Sequence, residues 1–241
     1  AGAGFDISTI PGLQVWAKNQ VGVTSSSTNV NWADSSGNGN DLHQSVNVLA
    51  TILNNKYDAT DGSFNFAGAS SSGPLYFDYP NQTLGAFTSF FVIKMNLSAG
   101  FDYYGLAQNR NNSANSYIQM FASATQAFTY LYGANVSGSR TGAMSADPAS
   151  LPTNDTYYVH VVRKDAASGA NVRFQKDELT MVDTPFFSSS QTVTLNTLGY
   201  GSVGDRGLNG SVREFALYNT ALTDEEVQSV IDDMQSRNGI S

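Results

Sequence analysis

The segment GSVREFALYNTALTDEEVQSVIDDMQSRNG (residues 210–239) changes from a strand pattern to a helix pattern. Thr223 followed by Glu226 is a capping box, which predicts the first residue of a helix. Gly239 predicts its end, because glycine readily adopts the left-handed conformation that terminates helices. Between these two signals, apolar residues recur at helical spacing and predict one buried stripe formed by Val227, Val230, Ile231 and Met234. A single helix that packs against a larger body is therefore expected.

The remainder of the chain has the two-residue periodicity of β-strands. Segments rich in β-branched and aromatic residues alternate with clusters of Gly, Asn, Asp and Pro. The clearest segments are FTSFFVIKM (87–95), SYIQMFAS (116–123), QAFTYLYG (126–133), TYYVHVVRK (156–164), ANVRFQK (170–176) and QTVTLNTLGY (191–200). This pattern predicts an all-β chain folded as an antiparallel two-sheet sandwich, with the helix packed outside.

Both ends of the chain resemble the laminin G-like branch of the concanavalin A-like lectin/glucanase superfamily. The closing pattern of that family, G-x-I-x-E-x-x-x-Y-N followed by A-L-[ST]-x-x-E, is met by Gly210, Val212, Glu214, Tyr218, Asn219, Ala221, Leu222, Thr223 and Glu226. Four upstream segments are similar to its opening, its next strand and a later hairpin: PGLQVWAKNQVGV (11–23), VNWADSSGNGNDLHQ (30–44), GSFNFAG (62–68) and YYVHVVRKDAASGANVRFQKDEL (157–179).

This resemblance implies a jelly roll with an external terminal helix. It also implies one domain over residues 12–241, preceded by a flexible N-terminal arm over residues 1–11. The fold does not imply one activity, because it carries lectins, adhesion modules, virion proteins and hydrolases. Residues 97–155 show nothing typical of the family, so features specific to this protein are expected there.

Composition narrows the class of partner. Only 13% of the 241 residues are charged, and the formal net charge is −8. Nucleic acid and anionic membrane surfaces are disfavoured as partners, since no cluster of Lys and Arg is present to neutralise phosphates. The absence of cysteine from the sequence excludes disulfides and thiolate metal sites.

Catalysis is not expected. Glycosidases of this fold need two carboxylates close together, whereas the four glutamates fall in a turn, on the closing strand and at the helix start: Glu178, Glu214, Glu225 and Glu226. The two histidines, His43 and His160, are not accompanied by a cysteine or by a nucleophile-elbow motif. His160 alternates within its strand like a packed residue.

A structural calcium ion is an alternative to a cofactor-free protein. The DSSGNGND segment (34–41) carries hard oxygen ligands, and the loop before the closing strand adds two more, which gives Asp34, Asn38, Asn40, Asp41, Asp205 and Asn209 as candidates. The segment does not have EF-hand spacing. A turn in which Asx side chains bond their own backbone is the favoured interpretation.

A saccharide site would need aromatic rings beside amide or charged groups. The candidates are Tyr103, Tyr104, Gln108, Arg110, Tyr130 and Tyr132. Tyr130 and Tyr132 share one face of a predicted strand, and periodicity alone favours the core for that face.

Two hypotheses follow. In the first, the chain is a non-enzymatic surface or structural binding domain, such as a bacteriophage capsid-decoration or fibre component, which binds a protein lattice or a surface glycan. In the second, it is a secreted bacterial carbohydrate-binding module or a glycoside hydrolase of the same fold. Localisation on a virion surface or outside the cell is expected, and a homo-oligomer is compatible with either hypothesis.

Overall fold

The computed structural model describes residues 5–25, 30–44, 57–67, 76–96, 102–109, 117–122, 127–132, 155–165, 171–175, 184–185, 192–199 and 207–240. In these ranges the chain forms a short 3-10 helix (Ile7–Thr9), one α-helix, α1 (Asp224–Asn238), and sixteen strands. The strands are β1 (Leu13–Ala17), β2 (Val23–Ser25), β3 (Val30–Trp32), β4 (Leu42–Gln44), β5 (Tyr57–Asp58), β6 (Ser63–Ala67), β7 (Phe77–Leu84), β8 (Phe87–Met95), β9 (Asp102–Gln108), β10 (Tyr117–Ala122), β11 (Ala127–Tyr132), β12 (Tyr157–Lys164), β13 (Asn171–Gln175), β14 (Thr184–Pro185), β15 (Val193–Leu198) and β16 (Asn209–Tyr218).

The strands form two antiparallel sheets. The first sheet has the order β14-β13-β12-β8-β16-β6-β5, and β1 pairs with the second half of β16. The second sheet has the order β11-β10-β9-β15-β7-β4-β3-β2. The expected all-β sandwich with one short C-terminal helix is confirmed.

The core between the two sheets, called here the inter-sheet core, is formed by alternate residues of both sheets. Its densest part is aromatic: the ring centroids of Trp32 and Phe64 are 4.8 Å apart, and those of Phe64 and Phe77 are also 4.8 Å apart. His160 of β12 lies in this core between Phe91 and Tyr158. Its burial lowers its pKa to about 4, so it is a neutral packed residue, as expected from the sequence.

A second core, called here the helix-face core, lies on the other side of the first sheet. The apolar stripe of α1 is buried there against Phe90, Val92 and Val159 of the sheet. The predicted capping box is present: Glu226 N donates to Thr223 Oγ1 at 3.2 Å, and Thr223 N donates to Glu226 Oε2 at 2.8 Å. Gly239 ends the helix with φ 61°. The helix covers apolar surface that would otherwise face water.

The C-terminal turn of α1 is tied to the sheet by Glu214, which is fully buried. Its carboxylate accepts hydrogen bonds from Trp16 Nε1 at 2.7 Å, Arg237 Nη2 at 2.7 Å and Asn238 Nδ2 at 2.8 Å. Three donors therefore satisfy this charge, which would be costly to bury alone. Glu214 has a structural role, consistent with its place in the closing pattern.

The N-terminal segment departs from the expected flexible arm over residues 1–11. Ile7 and Ile10 are buried in the helix-face core. Tyr218 Oη also donates a hydrogen bond to the Ile7 carbonyl oxygen at 2.9 Å. Residues 5–11 are thus packed on the domain, because two isoleucines supply apolar surface that the sequence-based boundary overlooked. Residues 1–4 lie outside the described ranges.

Candidate functional site

A continuous row of paired residues crosses the whole second sheet. From β2 to β11, each member of this row is the cross-strand partner of the next. We call it the polar row, and it consists of Thr24, Asn31, His43, Asp78, Thr197, Gln108, Tyr117 and Tyr132. Such partners have Cβ atoms about 5 Å apart, so the row spans the sheet from edge to edge.

The polar row lies on the face of the sheet that points away from the inter-sheet core. The adjacent positions on the same strands include Trp32, Leu42, Phe77, Leu198, Ala107 and Ile118, all of which are buried in that core. Successive residues of a strand occupy opposite faces, so the polar row is on the outer face. Alternation of polar and apolar residues in short strands was the sequence signal for this face, but only the strand pairing joins its members.

Exposure changes along the polar row. Asn31 and His43 are exposed, Asp78 is half-buried, and Thr197 and Gln108 are buried. His43 Nδ1 and Asn31 Oδ1 lie 3.0 Å apart in a hydrogen bond. The outer face is therefore open to solvent at β3 and β4 and sheltered at β15 and β9.

Gln108 is the most unusual member of the polar row. It is 1% exposed, and its side-chain Nε2 has no hydrogen-bond partner in the part of the chain that the structure describes. Its main-chain carbonyl oxygen accepts a bond from Thr197 Oγ1 at 2.9 Å, so the backbone is held while the amide donor is not used. A buried donor without a partner costs about 1–3 kcal/mol. Within the described residues, no hydrogen bond to Gln108 Nε2 offsets this cost.

Three further amides lie next to Gln108. Asn196 Nδ2 donates to Asn81 Oδ1 at 2.8 Å and to Asn109 Oδ1 at 3.3 Å. The three residues come from β15, β7 and the residue after β9, so strand pairing brings them together. We call Asn81, Asn109, Asn196 and Gln108 the amide cluster. The first three were missed from the sequence, where they are three of many dispersed asparagines.

Aromatic residues occupy the outer-face register positions of β9, β10 and β11. Tyr117 pairs with Tyr132, Gln119 with Tyr130, and Tyr103 with Phe121. These positions alternate with that of Ile118, which is buried in the inter-sheet core.

The side chains of Tyr130 and Tyr132 lie outside the part of the structure that is described, so the core expected for them stays a prediction from the sequence. Tyr104 pairs with Met120 of β10. Arg110 lies outside the described residues.

A catalytic carboxylate pair is not found in the described strands of the second sheet. Their carboxylates are Asp78 and Asp102. Asp78 lies at the level of Gln108, because both pair with Thr197. Asp102 lies six residues from Gln108 along β9, so the two carboxylates are separated by about 20 Å along the strand direction. Glycosidase carboxylates lie about 5–9.5 Å apart. This geometry does not support hydrolysis by an Asp pair on this sheet.

The Asp34 turn is saturated by its own hydrogen bonds. Asp34 Oδ1 accepts from the backbone nitrogens of Trp16 at 2.8 Å and Ser36 at 2.9 Å, and Oδ2 accepts from Ser36 Oγ at 2.6 Å and Asn40 N at 2.9 Å. Asp41 Oδ1 accepts from Asp34 N at 2.8 Å. These bonds are those of an Asx turn that anchors β1.

Asn38 and Asn40 complete the turn by donating their side-chain amides to carbonyl oxygens of β1, Leu13 at 2.7 Å and Gln14 at 2.8 Å. Among the described residues, no group of three or more His, Cys, Asp or Glu side chains could hold a metal ion. Calcium binding here stays a prediction from the sequence.

Asn209, the other described calcium candidate, lies elsewhere. The backbone of Asp34 forms an isolated β-bridge with Ala17, and Ala17 pairs with Phe215 of β16. Asn209 is six residues from Phe215 on the same strand, about 20 Å away along it. Its side chain instead contacts Asn96, with Asn209 Nδ2 donating to the Asn96 carbonyl oxygen at 3.4 Å. Asp205 lies outside the described ranges.

The described chain is thus an antiparallel β-sandwich whose second sheet carries the polar row and the amide cluster. No family model and no curated protein matches the chain. Solved structures do resemble it. One is the binding domain of botulinum neurotoxin DC in complex with SialylT, with a TM-score of 0.61 and 11% identity, over 95% of this chain and 53% of that one.

Two further structures have the same architecture. The binding domain of serotype D/C VPI 5993 has a TM-score of 0.64 and 14% identity, over 95% of this chain and 53% of that one. A botulinum neurotoxin type C structure, described by the dependence of cell entry on two ganglioside molecules, has a TM-score of 0.62 and 13% identity, over 93% and 51%. This chain spans about half the length of these structures. At such identity the likeness establishes the fold alone.

In the described ranges, no helix is long and apolar enough to cross a membrane.

Proposed function

We propose that the chain is a non-enzymatic carbohydrate-binding domain that holds a saccharide on the outer face of the second sheet. The observation that carries this proposal is the buried, unpartnered Nε2 donor of Gln108 in the middle of the polar row. A sugar hydroxyl or ring oxygen is an acceptor of the size and polarity that would satisfy it.

The surroundings of Gln108 support the same ligand class. Saccharides present hydroxyl rims to amides and apolar faces to aromatic rings. The amide cluster lies on one side, and the aromatic register positions of β10 and β11 lie on the other. The open end at Asn31 and His43 leaves room for an extended oligosaccharide. Among similar structures, one was solved in complex with SialylT and another is described by the dependence of cell entry on two ganglioside molecules; both are compatible with a binding role for this architecture.

A localisation where surface glycans are met, outside the cell or on a virion, accompanies this proposal. A bacteriophage decoration or fibre subunit would use the same face for adhesion. The laminin G-like affiliation is also part of the proposal, and it rests on the closing pattern of β16 and α1.

The test is a glycan-array screen of the folded protein beside Gln108→Met. Methionine keeps the length of the side chain and removes the donor, so stability is expected to be unchanged or higher while binding falls at least about tenfold. Asn65→Ala is the matched control, because Asn65 is an exposed residue on the opposite side of the sandwich.

Binding that persists in Gln108→Met would place the ligand elsewhere and overturn the site. Silence of the folded wild type on a broad array would overturn the function. It would favour a protein lattice as the partner, which the same preparation can be tested against in a co-sedimentation experiment.

A further inference from the structure

The two sheets differ in the placement of positive charge. None of the eight described strands of the second sheet contains Lys or Arg. The basic residues that fall in strands are all in the first sheet: Lys94, Arg163, Lys164, Arg173 and Arg213. Within the described strands, the face that carries the polar row therefore presents no Lys or Arg to an anionic ligand.

The arginines whose contacts the structure describes hold the helix and the strand ends. Arg163 forms an ion pair with Asp224 at 2.7 Å, Arg213 with Asp61 at 3.0 Å, and Arg237 with Glu214 at 2.7 Å. All three pairs are on the side of the first sheet that α1 covers. These cations are committed to the architecture and are separated from the polar row by the thickness of the sandwich.

Sialic acid and sulfate groups are recognised through Arg or Lys, because charge-assisted bonds repay the desolvation of the anion. On the outer face of the second sheet, an anionic sugar would instead approach Asp78, a member of the polar row next to Thr197. Amide donors and acceptors, by contrast, match the hydroxyl groups of uncharged sugars.

We infer that the outer face of the second sheet selects uncharged oligosaccharides and discriminates against sialylated and sulfated ones. This inference rests on the proposed function and adds the ligand class. It sets the chain apart from the structures of similar fold that were solved with sialylated ligands.

The test uses pairs of immobilised oligosaccharides that share one neutral core and differ by a terminal sialic acid or a sulfate. The wild type is expected to bind the neutral member at least about tenfold better, which is the effect of one like charge near the ligand. Binding of the neutral member is expected to change less than about twofold between 50 and 500 mM NaCl, since no ion pair is formed.

Two variants sharpen the result. Asp78→Asn is expected to narrow the discrimination, whereas Glu225→Gln, which removes an exposed charge from the first turn of α1, leaves it unchanged. Arg110→Ala is included because Arg110 is a cation two residues after the end of β9, and the inference requires its removal to leave the preference for the neutral member unchanged.

The outcomes separate the two proposals. Stronger binding of the acidic member, or binding that salt suppresses or Arg110→Ala abolishes, would overturn the inference and leave the carbohydrate-binding function standing. Binding of neither member by folded protein, together with silence on the broad array, would overturn the function itself.

Discussion

At the scale of single residues, His160 makes the stability of the protein depend on pH. Burial lowers its pKa to about 4 in the folded state, whereas an unfolded histidine titrates near 6.5. Between these values the unfolded chain binds a proton that the folded chain does not. The free energy of unfolding therefore falls as the pH falls through this window, by about 3 kcal/mol in total from this group, and is fully recovered above pH 6.5.

Urea unfolding at pH 7 and pH 4.5 measures this contribution. The wild type is expected to lose about 2–3 kcal/mol more than His160→Gln over this interval, since the variant lacks the titrating ring. His43→Gln is the matched control, because it removes the other histidine, which is exposed, and leaves His160 in place. Equal losses in the wild type and His160→Gln would contradict the assignment.

At the scale of elements, Gly210 fixes how β16 passes its neighbours. A Cβ atom at this position would collide with the main-chain carbonyl oxygen of Lys94 in β8, which the sheet cannot move aside. Gly210→Ala is therefore expected to lower the free energy of unfolding by about 1–3 kcal/mol. Gly85→Ala, between β7 and β8, meets open space and should stay within about 0.5 kcal/mol of the wild type in the same urea titration. Equal free energies of unfolding for Gly210→Ala and Gly85→Ala would contradict this role of Gly210.

Elements also mark how far the sequence predicts the structure. The capping box of Thr223 and the stripe of α1 were predictable, because they depend on residues three or four positions apart. The cross-strand partner of Tyr130 was not, since it depends on the register in which β11 pairs with β10. The amide cluster was equally hidden, because Asn81 and Asn196 are 115 residues apart and meet only through the pairing of β7 with β15.

At the scale of the whole molecule, the two cores share the same strands. In β16, Phe215 and Leu217 face the inter-sheet core, while Ala216 and Tyr218 face the helix-face core. Strands β1, β8 and β12 divide their side chains in the same way. Loss of either core would thus leave one face of a shared sheet uncovered in water, so we expect the domain to unfold in one cooperative transition.

The sequence supplies a reporter for each core, since its two tryptophans fall one in each: Trp16 in the helix-face core and Trp32 in the inter-sheet core. Trp32→Phe leaves a fluorescence signal from the helix-face core alone, and Trp16→Phe leaves one from the inter-sheet core alone. Within each variant, the midpoints of urea unfolding by fluorescence and by far-UV circular dichroism are expected to coincide, even if the variants differ in stability.

A Trp16 signal that is lost at lower urea than the circular dichroism signal in Trp32→Phe would show that α1 detaches first. Such detachment would have to expose the stripe of α1, the Phe90 side of β8 and the buried charge of Glu214 together. The cost of uncovering an apolar face and an unpaired carboxylate at once is the physical reason to expect the two signals to change together.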